Sequence, residues 1–278
     1  MSAPFEALFL PAGSGRSGQR FCLFHAPHGA VRGAVVHVHA FAEEMNKSRR
    51  MAALQARALA RSGYAVLQID LLGCGDSSGD LNDATWSDWL DDVRDAARWL
   101  QARCPAPLWL WGHRAGALIA AEAAARIDAP CHFLFWQPAT AGKLLLQQFL
   151  RLKVAGDMHD GRAKGVMASL REHLAAGRSV EVAGYTLPAA LAAGLDRSAL
   201  DPPARGGMVR WFELSQQPDA ELSPSSQTAI GRWREAGFDV RPQLVVGPSF
   251  WQSAEIEDAP ALIDATVAAL TQYEAVPA

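Results

Sequence analysis

The chain reads as an α/β protein: a mostly parallel central sheet with helices on both faces and a helical insertion before its last strands. Three observations predict this. Short apolar runs such as Gly33–His39 ("GAVVHVH"), Tyr64–Asp70 ("YAVLQID") and Leu108–Trp111 ("LWLW") have the length and continuity of strands buried on both faces. Longer segments with helical apolar spacing lie between them, and strands alternating with helices pair in parallel. From Lys143 to about Leu200 the helical pieces show no strand patterning, which resumes only at Met208.

Each element follows in order. Arg20–His25 and Gly33–His39 are early strands, the second rich in β-branched residues. Lys47–Ser62 carries a helical apolar pattern and stops at Gly63, a common helix terminator. Tyr64–Asp70 is a buried strand, followed by the turn-rich "LLGCGDSSGD". Thr85–Arg103 is an amphipathic helix with Trp86, Trp89, Leu90, Val93, Ala97 and Leu100 on one stripe. Leu108–Trp111 then runs into Gly112-His113-Arg114-Ala115-Gly116 and an alanine-rich helix, Ala115–Arg126. His132–Pro138, Met208–Leu214 and Val240–Val246 are further strands, with helices over about Ser226–Ala236 and Asp258–Tyr273. The expected organisation is a single domain over residues 1–278 with a lid or cap inserted at approximately 143–205.

Half of the 278 residues are apolar and 20% are charged, enough to bury a substantial core. A net charge of -3, with no basic run, argues against nucleic acid as a partner. The four cysteines (Cys22, Cys74, Cys104, Cys131) form no CxxC and read as reduced thiols. No metal-binding spacing appears, and no cofactor is expected. "MSAPFEALFLPAGSG" lacks a basic region followed by a long apolar stretch, and the longest apolar runs are too short to span a membrane. The expected location is cytoplasmic; the chain carries no signal for a particular oligomeric state.

Three motifs occur in order: "HVHAF" at the end of an early strand, "GYAVLQIDLLGCGDSSGD", and "GHRAG" between a buried strand and a helix. Together they resemble the α/β-hydrolase fold over about Phe21 to Tyr273. In that likeness "HVHAF" is similar to the strand end contributing to an oxyanion hole. "LLGCGDSSGD" is similar to an RGxGxSxG turn with Leu72 in place of the arginine, and "GHRAG" to the nucleophile elbow. The stretches "HAFAEEMNKSRRMAALQARALARSGYAVLQIDLLGCGDSSGD", "FWQPATAGKLLLQQFLRL" and "SFWQSAEIEDAP" further resemble the family called exosortase A system-associated hydrolase 2, which accompanies bacterial exosortase and exopolysaccharide systems.

The resemblance implies a serine, an acid and a histidine in that chain order. At the elbow stands Arg114, a guanidinium that stays protonated and cannot attack a carbonyl. After the last strand, where histidine belongs, stand Phe250 and Trp251; none of the eight histidines lies beyond His173. Asp219 or Glu213 could fill the acid position, with nothing to orient. A Ser-His-Asp mechanism is therefore not expected. Ser77 and Ser78 read as turn residues bonded to nearby backbone, Cys74 and Cys131 as buried thiols, and His113 as a packed histidine.

A strand-to-helix elbow aims its apex into the cavity and brings the positive end of the next helix to the same spot. Arg114 there predicts an anionic partner, either a ligand or a protein carboxylate. Glu43 and Glu44, in "AFAEEMNKSRR", pass close to the elbow, and one of them is expected to pair with Arg114. Their other reading is a solvated helix start. Around the same pocket the chain places His39, Phe41, Asn46, Lys47, Arg50, Asp76, Gln137, Lys143, Trp251 and Glu255 as candidate binding residues. Trp251 suits either a sugar face or plain filling of the vacated histidine position. The expected function is binding of an anionic or sugar-bearing small molecule at Arg114 in an exopolysaccharide-associated role. The alternative is hydrolysis with Glu43 or Glu44 as general base and Arg114 as oxyanion stabiliser. A third reading is an interaction scaffold with a vestigial pocket.

Overall fold

The computed structural model describes residues 5–13, 15–159 and 165–272. Among these residues ten strands and eight α-helices follow one another as β1 (Phe5–Pro11), β2 (Gln19–His25), β3 (Gly33–Val38), α1 (Glu43–Arg61), β4 (Tyr64–Ile69), α2 (Trp86–Arg103), β5 (Leu108–His113), α3 (Ala115–Ala123), β6 (Cys131–Trp136), α4 (Gly142–His159), α5 (Val166–Ala175), β7 (Val180–Val182), β8 (Tyr185–Leu187), α6 (Ala189–Arg197), β9 (Met208–Ser215), α7 (Pro224–Glu235), β10 (Asp239–Val246) and α8 (Pro260–Thr271).

Eight strands form one sheet in the order β1-β2-β4-β3-β5-β6-β9-β10. β2 is antiparallel to both its neighbours, and every other pairing is parallel. β3 and β5, at the centre, are buried at every residue, which is why they read as continuous apolar runs. Each face has its own core. Met51, Ala56 and Leu59 of α1 and Leu262 and Leu270 of α8 close one face over Val35, Val66 and Trp111. Trp89, Leu90 and Val93 of α2, Leu118 of α3 and Trp233 of α7 close the other over Val36, Leu67 and Leu110.

Helix starts follow local chemistry. Thr85 caps α2 by accepting the Asp88 N–H (3.2 Å) while the Asp88 carboxylate accepts the Thr85 N–H (3.0 Å), a reciprocal arrangement worth about 1 kcal/mol. α1 begins at Glu43, four residues before the apolar pattern predicts, because the two acids sit favourably in its first turn. The stretch Ala124–Arg126, expected as the end of α3, is a 3-10 turn.

Two elements correct the sequence reading. The segment between β6 and β9 is not purely helical: β7 and β8 form an antiparallel hairpin. Its turn residues Ala183 (φ 49°) and Gly184 (φ 83°) both take positive φ, as a two-residue hairpin requires, and alanine there disguises the signal. β1 pairs along all of β2, yet its two faces are mostly exposed, so it lacks the alternation that marks a strand. The predicted helix end at Tyr273 lies outside the described residues.

Candidate functional site

The turn between β5 and α3 is a strained elbow. Arg114, at its apex, takes φ 55° and ψ -114°, a conformation costing a non-glycine residue about 1–3 kcal/mol. Space dictates the glycines on either side. A Cβ on Gly112 would lie 2.4 Å from the Ala117 Cα, and one on Gly116 would lie 2.1 Å from the Val38 carbonyl oxygen. The close approach lets α3 start against the end of β3, and the Arg114 N–H is fixed by donating to the Trp136 carbonyl (3.1 Å).

The guanidinium of Arg114 is already engaged. Its Nε donates to the Glu44 carboxylate at 3.2 and 3.3 Å, and Nη2 donates to Glu44 Oε1 at 3.1 Å. Both side chains are 12% exposed. The Gln148 amide oxygen lies farther off, at 3.5 Å from Nη2. On another side the guanidinium carbon sits 5.6 Å from the centre of the Trp251 ring. Burial pushes the Glu44 carboxyl above its ordinary value, and Arg114 opposes that shift.

Beside this pair lies a cavity of about 370 Å³ lined by Phe41, Glu43, Glu44 and Lys47 at the start of α1, Leu145, Gln148, Phe149 and Leu152 of α4, and Trp251 and Gln252 after β10. Glu43 Oε2 is buried and meets no hydrogen-bond partner among the described residues. Burial raises the Glu43 pKa, against the opposing pull of its own backbone N–H and of Lys47. Lys47 Nζ donates to the Gln252 carbonyl at 3.4 Å. The Trp251 indole N–H is likewise buried and unpartnered.

Five of the predicted residues besides Arg114 thus converge: Phe41, Glu43, Glu44, Lys47 and Trp251. The remaining candidates point elsewhere. His39 donates from Nδ1 to the Ala40 carbonyl (2.7 Å) and accepts the Leu71 N–H at Nε2 (3.3 Å), lining a separate space of about 180 Å³ beneath α1. Asn46 reaches the Tyr185 hydroxyl (3.1 Å), and Arg50 pairs with Asp258 at the surface (2.7 Å). Asp76, Lys143 and Glu255 are exposed and away from the cavity lining. Gln137, at φ 41°, is a strut: its N–H donates to the Phe212 carbonyl (2.7 Å) and its side-chain oxygen accepts the Leu214 N–H (2.8 Å). The α4 stretch "LLLQQFLRLKV" reads from sequence first as core or lid packing and otherwise as an acyl-chain groove, and its Leu145, Phe149 and Leu152 line the cavity. The spacing of Leu145, Phe149 and Leu152 was the available signal, but it is also the spacing of ordinary packing.

The other reactive side chains do not line this cavity. Ser77 Oγ donates to the Asp70 carbonyl (2.5 Å) and accepts the Phe21 N–H (2.9 Å). Burial raises the thiols of Cys74 and Cys131 to about 12. His113 is buried against Phe250 and Trp251, and burial lowers its pKa well below the usual range. Glu213 accepts the Trp211 indole N–H (2.8 Å) within β9, while Asp219 is exposed. Among the described residues no cluster of His, Cys, Asp or Glu could hold a metal ion, and no helix is long and apolar enough to cross a membrane.

Solved structures similar to this chain in fold are numerous. A thermostable carboxyl esterase from Bacillus coagulans, in complex with glycerol, superposes with a TM-score of 0.65 at 13% identity over 98% of each chain. Est1E from Butyrivibrio proteoclasticus with bound ferulic acid gives 0.65 at 14% identity, covering 97% of this chain and 100% of that one. A serine hydrolase without lid from Xanthomonas campestris gives 0.55 at 18% identity, covering 99% and 96%. At such identities the likeness is one of fold, the α/β-hydrolase fold. No curated protein matches the chain by sequence. The family description "serine aminopeptidase, S33" matches residues 29–169, just over half of the chain and inclusive of β3 to β6, the glycine turn and the elbow. The chain belongs to that family of α/β hydrolases.

Proposed function

We propose that this chain is a member of its family that binds a small molecule in the Arg114 cavity without seryl chemistry. The segment at 143–205 acts as a cap over the cavity, and the ligand belongs to an exopolysaccharide-associated process. One observation carries the reading: the elbow apex holds a guanidinium committed to Glu44 at 3.1 Å. A group that cannot attack a carbonyl, locked in an ion pair, leaves the fold its pocket and removes its nucleophile. Phe250 and Trp251, packed on His113, fill the region after β10 with rings. Of the two expected ligand classes, the pairing favours the sugar-bearing one over the anionic, because Glu44 already occupies the position a ligand's carboxylate or phosphate would take.

A second reading rests on Glu43. Glu43 lines the cavity, and its carboxyl has a buried, unpartnered oxygen and a raised pKa, the properties of a general base acting on water. Turnover of short and medium acyl esters and thioesters by the unmutated protein, Arg114→Ala and Glu43→Gln separates the two. The binding reading expects no turnover above buffer in any of the three. Turnover by the unmutated protein that disappears in Glu43→Gln would replace it with the general-base mechanism.

A further inference from the structure

Two residues that line the cavity each carry a buried polar atom, and the two atoms have opposite demand. Glu43 Oε2 needs a donor, and the Trp251 indole N–H needs an acceptor; neither has a partner among the described residues, and both side chains line the same space. Trp251 is 3% exposed. A buried polar atom left unsatisfied costs about 1–3 kcal/mol, and a ligand that satisfies both atoms recovers that cost on binding.

Charge restricts the ligand further. Arg114 is matched by Glu44, and Lys47 stands one turn beyond Glu43 on α1 and pulls its pKa down. The four charges around the cavity balance, so no net charge is asked of the ligand. A carboxylate or phosphate could accept from Trp251 but would meet Glu43 as a like charge. An ammonium could donate to Glu43 but would leave the indole N–H unmet. A hydroxyl donates and accepts at once.

Shape supplies the remainder. Leu145, Phe149 and Leu152 recur along one side of α4, spanning about 10 Å of helix. Leu145 and Phe149 are each 5% exposed, whereas Leu152 is 39% exposed, so this apolar strip runs from a buried end to an open one. Phe41 and Trp251 face the same space.

We infer that the site takes an uncharged amphiphile: a polyhydroxyl head presented to Glu43 and Trp251, and an alkyl chain laid along Leu145, Phe149 and Leu152 of α4. This rests on the proposed binding role of the same cavity and names its ligand class.

The test uses the purified full chain and three probes of one chain length, octyl glucoside, octanoate and octylammonium, titrated below their micelle concentrations by calorimetry. Octyl glucoside is expected to bind at least tenfold more tightly than either charged probe. It should also exceed free glucose by about fourfold for each methylene buried. Trp251→Phe keeps an aromatic ring, though a smaller one, and removes the donor, and Glu43→Gln keeps the shape and weakens the acceptor. Each is expected to reduce octyl glucoside affinity by roughly tenfold. Octanoate binding as tightly as octyl glucoside, or affinity untouched in both variants, would overturn the inference while leaving the binding role in place. Failure of every probe to bind would bring down the binding role as well.

Discussion

Two turns leave the carboxyl ends of central strands, and they spend their polar groups in opposite ways. The turn after β4 is saturated. Asp70 accepts both Arg49 guanidinium nitrogens at 3.1 Å and the Asp76 N–H at 3.1 Å. Ser77 and Ser78 take the Phe21 and Gln19 N–H groups of β2, each at 2.9 Å. Asp92, from α2, accepts the Leu72 N–H at 2.8 Å and pairs with Arg20 at 2.8 Å and Arg16 at 2.5 Å. The elbow after β5 ends in one ion pair, and the space beside it keeps a carboxylate oxygen and an indole N–H in reserve. Both stretches look like catalytic motifs when read as strings. Saturation marks the first as scaffold, and unspent capacity marks the second as the place to look for a ligand.

The largest effect should come from breaking the saturated side. Asp92→Ala removes the acid that buries Arg20, which is only 3% exposed, and should cost about 3–5 kcal/mol in urea unfolding while leaving ligand affinity of the folded fraction unchanged. On the elbow side, Glu44→Gln leaves Arg114 beside a carboxamide, and Gln148, a neutral amide accepting at 3.5 Å, does not replace the lost charge. A stability loss of about 2–3 kcal/mol is expected, less than at Asp92 because the pair borders a cavity. The freed guanidinium should also make the melting temperature rise with added octanoate, an effect the unmutated protein should lack. Anion-independent melting in Glu44→Gln would mean that Arg114 is held by something other than charge pairing. Ser77→Ala is the smaller counterpart on the saturated side. Losing a hydroxyl that bonds two backbone groups should cost about 1–2 kcal/mol, with no change in octyl glucoside binding.

The same contrast explains what the sequence disclosed. Buried strands such as β3 and β5 announce themselves because both faces must be apolar, and Gly112 and Gly116 announce the elbow because backbone approaches leave no room for a Cβ. That one glutamate would meet Arg114 followed from charge and fold geometry, but the chain could not say whether it would be Glu43 or Glu44. Adjacent residues on a helix point about 100° apart, and the helix start had to be known to choose. Gln137 and Asp76 leave strand ends and so read as pocket residues, yet local backbone bonds hold one at Leu214 and the other in the glycine turn. The α4 wall is ambiguous for a different reason. A stripe of Leu and Phe has the same spacing whether it faces a core or a ligand, and only the packing of α1 and the loop after β10 decides which.

The smallest expected effect is the one that isolates Glu43. Burial is the main reason its folded pKa lies above the ordinary 4.5, so the folded protein holds that proton more tightly than the unfolded chain does. Stability attached to this group is therefore complete below pH 4.5 and is lost as pH rises through the folded value. Glu43→Gln cannot titrate. It should match the unmutated protein near pH 4 and exceed it slightly at pH 7, with Glu44 unchanged in both chains and cancelling from the difference. A bound hydroxyl amphiphile donates to the ionised carboxylate and should pull the folded pKa back down, so saturating octyl glucoside should narrow the pH 7 gap between the two proteins. A gap that persists at saturation would place the ligand's hydroxyls away from Glu43, and the head group would then be read by Trp251 alone.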